Sequence, residues 1–100
     1  MPSPSPMEIL QMKVDAIKDV LQGKKPTEKK GFITRAMADD FNRLLEEAKK
    51  AEPQMAEHLP VPIKIGENGW GAIVVQQVDY IHFESMINRL IGTIRLFNKN

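Results

Sequence analysis

One hundred residues, 42% of them hydrophobic, suit one small domain with a modest core, since a chain of this size buries roughly two-thirds of the surface it exposes when unfolded. Fourteen basic against thirteen acidic residues, a formal charge of +1, give no global attraction to nucleic acid or to an anionic bilayer. The absence of cysteine excludes a disulfide framework, a thiolate metal site and a cysteine nucleophile.

The chain opens Met-Pro-Ser-Pro-Ser-Pro-Met. This stretch has neither the basic nor the apolar region of a secretory signal, and its Pro-Ser alternation is expected to leave residues 1–5 as a disordered tail. No apolar run approaches the roughly 18 residues that cross a bilayer. The expectation is a cytoplasmic protein without membrane association, with residues 6–98 forming a single domain.

Ser5-Pro6-Met7-Glu8 predicts a helix start, with Ser5 as cap and Pro6 at the first helical position. Leu10, Val14, Ile17 and Leu21 then share one face up to about Gln22, and Gly23 is a plausible stop. Residues 23–33 form a basic connection broken by Pro26 and Gly31, in which Thr27 is placed to cap a single turn. Thr34 is the expected cap of a second helix running to about Ala51, with Met37, Phe41, Leu44, Leu45 and Ala48 as its apolar face. Asp39–Arg43 and Glu46–Lys50 are spaced to pair along it. Pro53 ends it, and residues 53–60 read as irregular.

The period then changes from helical to two. Val61, Ile63 and Ile65 alternate with Pro62 and Lys64, Asn68-Gly69 is a strong two-residue hairpin signal, and Trp70–Val78 returns as the second strand. With that turn, Ile65 faces Ala72 and Ile63 faces Val74. Val61, Ile63, Ile65, Trp70, Ala72 and Val74 then lie on the buried face, with Ile73 and Val75 on the other. Asp79 is the expected cap of a last helix. Its stripe of Phe83, Met86, Ile87, Leu90, Ile91, Ile94 and Phe97, at steps of three and four, is the broadest apolar feature of the chain. Gly92 inside it implies a close neighbour. The fold class is α+β: three helices and one β-hairpin in the order helix, helix, hairpin, helix.

Chemistry-bearing groups are sparse. Lys24, Lys25, Lys29, Lys30 and Arg35 gather around the lone acid Glu28, a loop able to touch phosphates without reading sequence. Taken with the helix 34–51, it gives an alternative role as a winged-helix-like DNA-binding regulator, although Asp39 and Asp40 lie where a reader helix would meet phosphate. Asp79, His82 and Glu84 do not converge as metal ligands on a helix, because only the first two share a face. No phosphate-cradling loop, dinucleotide fingerprint or nucleophile triad is present, so no cofactor, metal or catalytic residue is assigned, and an enzyme with an unrecognised site is the remotest alternative. Trp70, flanked by Gly69 and Gly71, either covers the end of the core or offers an indole to a ligand.

The sequence thus points to a small non-enzymatic interaction or accessory protein, acting as a homodimer or on a protein partner. The expected seam is the last helix with the hairpin: Trp70, Ile73, Val75, Phe83, Ile87, Leu90, Ile94 and Phe97.

Overall fold

The computed structural model describes residues 3–67, 69–71 and 73–98. The chain is helix-dominated, built on α1 (Pro6–Gln22), α2 (Arg35–Ala51) and α3 (Tyr80–Phe97). All three expected caps are made. Ser5 Oγ accepts from Glu8 N at 3.2 Å, Thr34 Oγ1 from Met37 N at 3.3 Å and Asp79 Oδ1 from His82 N at 2.6 Å. Each satisfies a backbone donor that the first helical turn leaves without a partner. Short 3₁₀ turns cover Glu28–Lys30 and Pro53–His58. The second corrects the irregular reading of 53–60: Pro53 begins a tight turn that drives Met55 into the core.

The core is one cluster shared by all three helices. It takes Leu10, Val14 and Leu21 from α1, Ala38, Phe41, Leu44, Leu45 and Ala48 from α2, and Phe83, Ile87, Leu90, Ile91 and Ile94 from α3. α1 lies chiefly along α3, and α2 against α1 and the Pro53–His58 turn. The rings of Phe41 and Phe83 meet edge-to-face, centroids 5.6 Å apart at 63°, the arrangement favoured by the ring quadrupoles. The surface pairs on α2 differ from expectation. Asp39 lies 3.6 Å from Arg35, and Glu46 lies 3.6 Å from Lys49, rather than joining Arg43 and Lys50.

Two short segments, β1 (Ile65–Glu67) and β2 (Ile73–Val75), run antiparallel with Ile65 opposite Val75, Gly66 opposite Val74 and Glu67 opposite Ile73. This corrects the expected register, which set Ile65 against Ala72 and Ile63 against Val74. An odd shift exchanges the faces of a strand, so Val75, not Val74, stands across from Ile65, and both side chains rest on the core. The ladder closes at Glu67 and Ile73, so the connection is longer than two residues. Gly71 adopts φ +77° within it, a left-handed conformation that glycine enters without a Cβ clash. Asn68 and Ala72, on which the two-residue turn and its pairing rested, lie outside the described residues.

The strands are also shorter than expected. Pro60 and Pro62 have no N–H to give to a ladder. The backbone of Ile63 is held instead by a side chain of α2: Asn42 Nδ2 donates to Ile63 O, and Ile63 N donates to Asn42 Oδ1, both at 2.8 Å. Ile63 is buried, whereas Val61 is 76% exposed, contrary to its expected place on the inner face. One pairing has no counterpart in the sequence reading. The chain after the basic turn lies along the lead-in to α3, with Ile33 N donating to Val78 O at 2.9 Å and Tyr80 N to Gly31 O at 3.2 Å.

Gly92 does not mark a close approach. It lies on the exposed side of α3, and a Cβ built there meets nothing within 4 Å. Gly92→Ala is therefore expected to stabilise the fold by about 1 kcal/mol through helix propensity alone. Thermal unfolding followed by circular dichroism would register this as a rise of roughly 4–8 °C in Tm for a domain of this size.

Candidate interaction surface

Six of the eight residues expected to form a self-association seam, Val75, Phe83, Ile87, Leu90, Ile94 and Phe97, gather in or against the core of the single chain and not on an open surface. On α3, Phe83, Ile87, Leu90 and Ile94 are each 0% exposed, because α1 lies along the same face and encloses them within one chain. Phe97 is half-buried, its ring tilted against that of His58 with centroids 5.7 Å apart. Val75 is half-buried against the core. Ile73 is placed by its backbone opposite Glu67, and its side chain lies outside the described part of the structure. Trp70 is 94% exposed, so the indole does not cover the end of the core.

The basic cluster is largely engaged within the chain. Lys29 Nζ donates to Glu84 Oε2 at 2.9 Å. Lys24 Nζ stands 4.7 Å from the centroid of the Tyr80 ring, within range of a cation–π attraction. Arg35 Nε lies 3.6 Å from Asp39 Oδ2, while Lys25 and Lys30 are exposed. Of the two residues near the start of α2 suited to base edges, Arg35 therefore faces its own carboxylate and Asn42 is committed to Ile63. The imagined metal triad is likewise dispersed, with Asp79 capping α3 and Glu84 bound to Lys29. Among the described residues no three His, Asp or Glu side chains gather as a metal site, and no helix is long and apolar enough to cross a membrane.

An exposed apolar series at helical spacing lies on α1. Ile9 (40% exposed), Met12 (66%), Ala16 and Val20 (64%) follow one another at steps of three, four and four. They form a second stripe beside the buried series of Leu10, Val14 and Leu21. α1 is thus apolar around much more of its circumference than the core uses. Along one edge of the stripe runs a cleft of about 320 Å³, lined by Ala16, Ile17 and Val20 of α1, Met37 and Asp40 of α2, Lys24 and Phe83. The spacing of this second stripe was present in the sequence, interleaved with the core stripe and masked by it. Other exposed apolar side chains, such as Phe32, Ile81 and Leu96, stand on other elements and need no partner to explain them. No protein-family model, no curated protein and no solved structure matches this chain.

Proposed function

We propose that this chain is a small cytoplasmic interaction protein without catalytic activity that acts as a homodimer, and that its seam is the outer stripe of α1. The observation that carries this reading is the exposed series Ile9, Met12, Ala16 and Val20 on a helix whose other apolar face is already buried. A stripe of eleven residues' rise is about 17 Å long, enough for helix-on-helix packing. A two-fold pair needs only that one patch on both copies. In the same reading, the paired strands complete a helix–helix–hairpin–helix α+β unit that supports the helices. The duplex-binding alternative has less support, because Lys24, Lys29 and Arg35 are engaged by Tyr80, Glu84 and Asp39.

Sedimentation equilibrium at micromolar concentration tests the proposal. The parent chain is expected at twice its monomer mass. The double variant Met12→Glu/Val20→Glu is expected at monomer mass with its helical circular dichroism intact, since both side chains are mostly exposed. A parent that stays monomeric up to about 100 μM, roughly a 5 kcal/mol association ceiling, would remove the homodimer.

A further inference from the structure

A second cleft, of about 310 Å³, lies between α3 and the extended segment 60–62 and shares no lining residue with the cleft beside α1. Its polar lining consists of His82, Ser85 and Arg89 of α3, with Gln76 from the chain after β2. Spacings of three and four put the three α3 residues on one face of the helix. Arg89 lines the cleft one helical turn after Ser85, and helical side chains lean toward the N-terminus. Each group has a hydrogen to donate. Gln76 already spends its Oε1 on Lys64 N at 3.2 Å, which leaves its NH₂ for another acceptor.

Among the described residues no carboxylate lines this cleft. Two nearby acids are committed elsewhere, Asp79 to the cap of α3 and Glu84 of α3 to Lys29. Arg89 takes part in none of the ion pairs formed among the described residues. The remaining wall is apolar, with Val61 and Pro62 on one side and Met86 on the other. That wall is held in place. The prolines restrict the backbone, Asn42 grips Ile63 through two bonds of 2.8 Å, and the hydroxyl of Thr93 on α3, 3.0 Å from Arg89 O, also lies 3.3 Å from His58 O just before the segment. An open cleft whose lining sets donors of one helix face beside an apolar wall combines the two kinds of contact that a small-molecule site uses.

We propose that this cleft binds a small organic anion, whose oxyanion head is held by Arg89, Ser85 and His82 and whose apolar body lies on Val61, Pro62 and Met86. A carboxylate and a phosphate ester share the recognising chemistry: oxygen acceptors that take charge-assisted hydrogen bonds from a guanidinium. The site is independent of the dimer seam, which lies on α1.

Three probes test it on the full chain, by calorimetry and by amide chemical shifts: phenyl phosphate, benzoate and inorganic phosphate. Phenyl phosphate or benzoate is expected to bind with Kd about 1 mM or tighter, as suits ligands of this size, and to shift the amides of His82, Ser85 and Arg89. Whichever of the two binds more tightly identifies the head group. Arg89→Gln, at an exposed position, should weaken that binding by about ten-fold or more. Val61→Ser should weaken the aromatic ligand and leave inorganic phosphate unchanged. The proposal is overturned if neither aromatic anion shifts these amides, if Arg89→Gln binds as well as the parent, or if inorganic phosphate binds as tightly as phenyl phosphate.

Discussion

Leu90→Asp is expected to unfold the protein. Leu90 sits at the middle of α3 with no exposed surface, inside the cluster shared by all three helices. Removing a buried leucine side chain costs about 2–5 kcal/mol through lost transfer energy and the cavity left behind. A carboxylate in the same place adds a desolvation penalty of several kcal/mol with no cation to offset it. Together these rival the roughly 5–15 kcal/mol that holds a domain of this kind. Far-UV circular dichroism and urea titration at neutral pH are the measurements, with Leu90→Ala as a milder companion that stays folded at a lower midpoint. The outcome also separates the two faces of the molecule. Were Leu90 on a seam between copies, the aspartate variant would remain a folded chain of half the mass. A folded Leu90→Asp monomer with the parent's urea midpoint would return the seam to α3.

This contrast shows what periodicity conveys and where it stops. The apolar series from Phe83 to Phe97 stated that one face of α3 must be covered, and it is. The stripe carries no information about which surface does the covering, because the matching face of α1 satisfies it as well as a second copy would. Helix ends were legible for a different reason. Ser5, Thr34 and Asp79 act on donors within three residues of themselves, so their role follows from local sequence. The ribbon was less legible. Asn68-Gly69 carries a strong local turn signal, but the ladder begins only at Glu67 and Ile73, and the register moved by an odd number with it. Pro60 and Pro62 limit the ladder on the side away from the turn, and the clamp from Asn42 that holds the Ile63 backbone is a tertiary contact beyond any nearest-neighbour effect.

The outer stripe of α1 is hidden in the sequence by the core stripe beside it. Ile9, Met12, Ala16 and Val20 obey the same step rule as Leu10, Val14 and Leu21, and a helix that offers two such series gives no indication of which one the fold will use. The structure distinguishes them by burial: Val14 is 0% exposed and Met12 is 66% exposed. Likewise, the five cations of residues 24–35 read as one patch in the sequence. In three dimensions Glu84, brought in from α3, and the Tyr80 ring divide it. Both partners lie some fifty residues further along the chain, beyond the reach of any local charge count.

Asn42→Ala is expected to destabilise the fold by about 2–4 kcal/mol, a large effect for a residue with no part in the apolar core. Its amide closes a two-bond ring with the backbone of Ile63, N–H and C=O alike, each bond 2.8 Å long. A single net hydrogen bond contributes only about 0.5–1.5 kcal/mol, but a half-buried backbone group left without a partner costs about 1–3 kcal/mol. Alanine would leave two such groups. Water can reach part of the site, since Asn42 is only half-buried although Ile63 is buried, and this sets the upper end of the range. Asn42→Asp separates the two bonds. The carboxylate still accepts from Ile63 N, but it has no N–H for Ile63 O and brings a negative charge against that carbonyl. It is expected to cost at least as much as alanine at neutral pH, with the gap narrowing as acid protonates the side chain and restores a donor. Urea unfolding of the three chains at two pH values measures this, and amide exchange at Ile63 reports the clamp directly. Equal midpoints for Asn42→Ala and the parent would mean that the extended segment holds its place through Pro60, Ile63 and Val78 packing alone. The same clamp bears on the cleft at α3: if Asn42→Ala folds but frees residues 60–63, the wall carrying Val61 and Pro62 loosens, and anion binding should weaken with Arg89 untouched.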